Sequence, residues 1–145
     1  DLLQITHRAK PADRIILISD AVAPAGAKPG VYDYMNRKVK SSAEGVYYVD
    51  GGTLVGSSIL VNEGVRRFMR STGAPVHEAV RMASLNPANL LGIGRCTGSL
   101  EPGKSADLAI FSRDFSKVHA VFCRGISCTR AVCGCPVSAG LRARF

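Results

Sequence analysis

The most restrictive stretch of the chain is RIILISD at residues 14–20, an aliphatic run that stops at a polar pair, Ser19 and Asp20. An unbroken apolar run suits a strand buried on both faces, as in a parallel sheet or a barrel. AVAPAGAKPG follows at residues 21–30, and its two prolines and two glycines break regular structure. Together they predict a strand that gives way to a loop at Asp20. A carboxylate there has two readings. Barrels of alternating strands and helices place catalytic groups at the C-terminal ends of their strands, and a strand-end Asp also caps turns.

Further along, short strands are expected at residues 31–34, 38–41 and 45–49, with turn chemistry in Asp50-Gly51-Gly52. From Ser58 the period lengthens: Val61, Val65, Phe68 and Met69 share one helical face, and Gly73 stops the helix. Pro75 suits the first turn of a second helix, whose apolar stripe is Val76, Ala79, Val80 and Ala83. Asn86-Pro87 ends it, and Pro87 opens a third short helix that reaches Leu91 and closes at Gly92. Paired helices of this kind usually pack on a core, so they are a weak sign of DNA binding. Strand patterns return at residues 107–111 and 118–123, the second ended by Gly125. Residues 126–145 carry no convincing period.

At 145 residues, with 46% hydrophobic and 21% charged side chains, the chain reads as one globular domain. No apolar run is long enough to cross a bilayer. The start, DLLQITHRAK, has neither an apolar export core nor a transit-like pattern, so a cytoplasmic location is expected. The net charge of +8 is uneven: every acid precedes position 115, and the last stretch adds Arg130, Arg142 and Arg144. A basic balance can signal nucleic acid or an anionic substrate. With no long basic block, 6% aromatics and no Trp, nucleic acid is not the expected partner. Cys123, Cys128, Cys133 and Cys135 crowd the C-terminus while Cys96 stands apart. Their spacing is not that of a CxxC zinc or redox site, and an odd count favours free thiols in a reducing compartment.

Four blocks come in a telling order: LISDAVAPAG at 17–26, GGTLVGSS at 51–58, EAVRMASLNPANLLGI at 78–93 and GSLEPGKSADLAIF at 98–111. Residues 1–125 thereby resemble the C-terminal part of the N-acetylglucosamine-6-phosphate deacetylases, a family of the amidohydrolase superfamily. The last two blocks are specific only to the superfamily; the first two, at this separation, point to the deacetylases. Dihydroorotase-like amidohydrolases, which also keep an Asp at this strand end, are the weaker alternative.

The resemblance implies an α/β fold: the C-terminal part of a metal-dependent (β/α)8 TIM-barrel hydrolase, with strands of a small β-sandwich and an incomplete barrel. Residues 1–97 would be the end of the barrel (last strand, β insertion and closing helices). Residues 98–125 would belong to the sandwich, and residues 126–145 form a tail outside the family pattern. The implied reaction is hydrolysis of the N-acetyl amide of N-acetylglucosamine 6-phosphate to glucosamine 6-phosphate and acetate. A divalent metal, zinc by the same resemblance, would polarise the carbonyl and activate water. Asp20 matches the catalytic aspartate, which takes a proton from that water and passes it to the leaving amine. Leu54, Val55 and Gly56 match the loop that approaches the sugar and acetyl group, with Gly56 permitting close backbone approach; a plain turn into the next helix is the alternative.

The family's metal ligands, a Glu and two His, fall on strands upstream of Asp1, so no metal ligand is expected in this chain. His7 falls on a helix between strands, His77 reads as a surface helix residue, and His119 alternates within a strand; none is expected to be catalytic. The complete enzyme is expected to be a homo-oligomer. The alternative to a deacetylase fragment inactive alone is a non-catalytic remnant or interaction module, because a partial barrel leaves a strand edge and apolar helix faces uncovered.

Overall fold

The computed structural model describes residues 2–128. The chain begins with helix α1 (Leu2–Ala9) and a 3-10 turn at Ala12–Arg14, then runs extended from Ile15 to Asp20. Four strands follow, β1 (Gly30–Tyr34), β2 (Arg37–Ser42), β3 (Gly45–Tyr48) and β4 (Leu54–Gly56), in one antiparallel sheet of order β1-β2-β3-β4. Helices α2 (Val61–Thr72), α3 (Val76–Ala83) and α4 (Leu85–Leu90) come next. β5 (Leu108–Phe111), β6 (Val118–Cys123) and β7 (Ile126–Ser127) close the described part as a second antiparallel sheet. Among the described residues there is mixed helix and sheet but no closed barrel.

The core lies where the helices meet the extended segment. Ile15, Val65, Phe68, Ala74, Ala79 and Met82 form one buried cluster, with Leu17, Met69 and Phe115 packed against it. The first sheet buries Val39 and Val46. α2 ends as expected from Gly73, which takes φ +72° while its N–H bonds the Met69 carbonyl. That left-handed conformation suits a residue without a Cβ.

Four expectations need correction. Residues 14–20 form no ladder strand: among the described residues only a parallel bridge at the far end, Ala21 to Ser57, links this stretch to a sheet. A strand buried on both faces needs covering layers and paired edges, and here Ile18 is 77% exposed. The stripe of α3 is also displaced. Ala79 is buried as expected, but Met82 completes the packed face while Val76 and Val80 stay exposed. Val80 borders an open apolar groove between the helices and the β5–β6 hairpin, and no layer covers either valine. Pro75 caps α3 from outside, and Pro87 lies in the first turn of α4 rather than opening it; a proline is tolerated there because its missing N–H has no helical partner. Finally, Ile126 and Ser127, placed in the patternless tail, pair with Cys123 and Phe122. Two residues are too few to show a period. The readings that fall on Arg130, Cys133, Cys135, Arg142 and Arg144 lie outside the described residues.

Candidate functional site

Asp20 stands where the extended segment turns away from the core. It adopts φ +50°, a left-handed conformation uncommon outside glycine but tolerated best by Asp and Asn. The turn is held by backbone: the Ser57 N–H donates to the Asp20 carbonyl at 2.7 Å, and the Val22 N–H donates to the Ser57 carbonyl at 3.3 Å. The Gly26 N–H reaches the Ser58 carbonyl at 3.2 Å, so the loop after Asp20 is laced to the chain that leaves β4. The Asp20 side chain is exposed, and among the described residues it makes no side-chain hydrogen bond or ion pair.

Gly56 is buried on β4, opposite Val46 of β3. A Cβ added to it would meet the Asp20 carbonyl oxygen at 2.7 Å, Val22 Cγ1 at 2.8 Å and the Asp20 carboxylate Oδ2 at 3.7 Å. The structure therefore brings Asp20 and Gly56 together, and the close approach that only glycine allows is to the Asp20 backbone. Val55 is half-buried, while Leu54 is 58% exposed. The Leu54–Gly56 segment and the Asp20 turn are thus adjacent, joined at Gly56 and Ser57.

The sequence reading overlooked two supports. Ser57 was only part of a matched block, yet its N–H and carbonyl hold both sides of the Asp20 turn. Asn86 was given only the role of ending a helix. It is buried, and its Nδ2 donates to the carbonyls of Ala12 and Ile15, each at 2.7 Å, pinning the start of the segment that ends at Asp20. The Leu17 N–H, donating to the Met82 carbonyl at 2.9 Å, fixes the middle. The available signal was a side-chain amide in an otherwise apolar helical stretch, since buried amides must find partners.

The histidines go elsewhere. His7 lies 3.3 Å from the Glu78 carboxylate and packs edge-on against Phe68, joining α1 to α2 and α3. His77 and His119 are exposed. Among the described residues no three His, Cys, Asp or Glu side chains gather as a metal could require. The residues here therefore do not fit a catalytic metal by themselves. Away from Asp20, four surface carboxylates are held ionised, Asp50 by a hydrogen bond from Arg37. Asp114 is lowered to about 2 by hydrogen bonds from Ser112 and Ser116. Asp107 is lowered by Ser105 and the Arg124 N–H, and Glu101 by Ser99 and Lys104. These tie turns rather than create a reactive group.

The family model for the amidohydrolase family matches residues 19–127, a span that opens just before Asp20 and closes at β7. The chain belongs to the amidohydrolase family. This amidohydrolase is similar to an N-acetylgalactosamine-6-phosphate deacetylase of Escherichia coli O157:H7, with 41% identity over 96 residues, 66% of this chain and 25% of the relative. It is similar to an N-acetylglucosamine-6-phosphate deacetylase of Danio rerio, with 35% identity over 123 residues, 85% of this chain and 30% of the relative. A crystal structure of N-acetylglucosamine-6-phosphate deacetylase from Pasteurella multocida superposes on it with a TM-score of 0.78 at 29% identity, covering 87% of this chain and 32% of that one. The chain thus spans about a quarter to a third of the length of these relatives. The amidohydrolase family is generally metal-dependent. No helix among the described residues is long and apolar enough to cross a membrane.

Proposed function

We propose that this chain supplies the Asp20 corner of a deacetylase that hydrolyses the N-acetyl amide of an amino-sugar 6-phosphate, releasing the free amine and acetate. The observation that carries this reading is the likeness to the Danio rerio deacetylase over 123 residues, together with an amidohydrolase family match over residues 19–127 that takes in both the Asp20 turn and the Leu54–Gly56 segment. N-acetylglucosamine 6-phosphate is the substrate proposed. The 41% identity to the Escherichia coli relative, over a shorter span, makes N-acetylgalactosamine 6-phosphate the specific alternative.

In this reading residues 14–20 are the last strand of a barrel whose other strands lie in the rest of the protein. That would cover Ile18 and pair the edge left open here. Residues 98–125 belong to a small sandwich, and the complete enzyme is a homo-oligomer. Asp20 acts first as a base, removing a proton from the attacking water, and then as an acid, delivering a proton to the leaving nitrogen. Its exposed carboxylate on a backbone held at Ser57 suits a group that must reach a bound amide without moving. Leu54, Val55 and Gly56 approach the sugar and acetyl group from the adjoining side. The divalent metal, zinc by the resemblance, would polarise the acetyl carbonyl when bound. The described residues offer it no ligand set, so the part derived for Asp20 is proton transfer alone.

A second reading, a non-catalytic interaction module, is favoured by the uncovered apolar surface: Ile18 is 77% exposed, Leu100 84% and Leu91 72%. One experiment separates the two. The matching third of the Danio rerio relative is replaced by this chain, and acetate release from both 6-phosphates is measured. Turnover of either supports the deacetylase, and the ratio of the two kcat/KM values decides the sugar. A hybrid that folds and binds zinc but releases no acetate from either supports the interaction module.

A further inference from the structure

β6 and β7 are joined by a two-residue turn, Arg124 at φ +50° and Gly125 at φ +79°, the tight hairpin turn that needs both central residues left-handed. Cys123 pairs with Ile126, Phe122 with Ser127, and the Cys128 N–H donates to the Val121 carbonyl at 2.7 Å. Side chains alternate along each strand, so Cys123 and Cys128 fall on the same face of this arm, diagonally across one rung. Both are exposed as free thiols. We propose that Cys123 and Cys128 are a redox-active dithiol that closes to a disulfide across the β6–β7 hairpin.

The chemistry around the pair fits. The Cys123 thiol is pushed above its ordinary pKa by a hydrogen bond with the Cys128 side chain and by the charge that side chain can carry, with smaller contributions from burial and Asp107; Arg124 opposes them. The register places both thiols on one face, and the Cys128 Sγ–H donates to the Ile126 carbonyl at 3.5 Å, so closure asks it to turn toward Cys123. Diagonal neighbours in a sheet are about 7–8 Å apart at Cα, just beyond the usual disulfide range, so closure also asks for a shift of roughly 1–2 Å in a two-residue strand. With oxidised glutathione as the oxidant, one cysteine thiolate attacks a glutathione sulfur. The glutathione S–S bond breaks, one glutathione thiolate leaves, and a mixed disulfide forms. The second cysteine thiolate then attacks the protein sulfur of that bond and expels the other glutathione. The two cysteines are oxidised, the glutathione disulfide is reduced, and the two thiol protons end on the two glutathione thiolates.

The sequence makes the test direct, because trypsin cuts after Lys117, Arg124 and Arg130 and leaves Cys123 and Cys128 each alone in its own peptide. The folded full chain is treated with oxidised glutathione, its remaining thiols are alkylated, and it is digested without reductant and weighed by mass spectrometry. The expected product is residues 118–124 joined to residues 125–130, lighter by two hydrogens than the separate peptides. It should persist in a Cys133→Ala, Cys135→Ala double variant and disappear in Cys123→Ser. The proposal is overturned if Cys123 or Cys128 is joined instead to Cys96, Cys133 or Cys135, or if both are recovered only alkylated or as glutathione adducts.

Discussion

Gly56 and Asp20 touch through backbone: the position a Gly56 Cβ would occupy lies 2.7 Å from the Asp20 carbonyl oxygen, the same atom that accepts the Ser57 N–H at 2.7 Å. A carbonyl bonded to the Ser57 N–H and packed against the bare α-carbon of Gly56, which precedes Ser57 in the chain, has little room to rotate. The φ of +50° at Asp20 is kept by this contact, and with it the direction of the carboxylate.

Gly56→Ala should therefore be costly. The new methyl cannot fit without moving Asp20 or Val22, and overpacking of this kind costs about 1–3 kcal/mol. Gly64 in α2 supplies the contrast, because a Cβ there meets nothing within 4 Å. Gly64→Ala should stabilise by about 0.5–1 kcal/mol through helix propensity. Urea denaturation of the two variants checks the pair, and a Gly56→Ala chain as stable as the parent would contradict the packing described here.

Asn86 holds the other end of the segment. Asn86→Ala leaves the carbonyls of Ala12 and Ile15 without their donor in a buried place and should cost roughly 2–4 kcal/mol. Asn86→Asp should not rescue it, because an ionised carboxylate has no hydrogen to give. Equal stability of the Asp variant and the parent in the same denaturation assay would remove Asn86 from this role.

The core predicts its own ranking. Phe68 is 2% exposed, and Phe68→Ala should cost about 3–5 kcal/mol while also freeing the His7 ring that packs on it. Val76, 52% exposed, should tolerate Ala within about 0.5 kcal/mol. Thermal melts of both variants test the ranking, and similar losses at the two positions would contradict it.

Acid should act on the turn between β5 and β6. Asp114 titrates at about 2, below its ordinary 3.8, because Ser112 and Ser116 donate to its ionised carboxylate. A depressed folded pKa means that the stabilisation is present above the unfolded value and is lost as pH falls through the folded one. The carboxyl carbon of Asp114, followed by NMR, should have its midpoint near pH 2, and Ser112→Ala should move that midpoint upward. A midpoint at the ordinary value in the parent would mean that the hydroxyls do not hold the carboxylate in solution.

Much of this was legible locally. β6 was read to the residue because a β-branched and aromatic run is closed by Arg124-Gly125, and the end of α2 because Gly73 must go left-handed. What depends on distant partners was not. RIILISD has the composition of a doubly covered strand, yet being a strand requires neighbours, and composition cannot report whether they are present. The stripe of α3 was placed by period alone, which identifies an apolar arc without saying which part of it is covered; Met82 is packed and Val80 is not. At the site, Asp20 and Gly56 were each singled out, but their contact joins segments far apart in sequence. Asn86 was missed for the same reason, its acceptors lying 71 and 74 positions away.

The most direct test of the central claim is the rate of acetate release from N-acetylglucosamine 6-phosphate by the hybrid that carries this chain, with Asp20 intact and as Asp20→Asn. Asparagine keeps the shape and the tolerance for φ +50° but can neither take nor return a proton. With Asp20 in the proposed role, kcat should fall by about 10²–10⁴-fold, while KM, zinc content and melting temperature stay close to those of the parent hybrid. An Asp20→Asn hybrid that keeps its turnover would contradict the claim, whatever else the family resemblance implies.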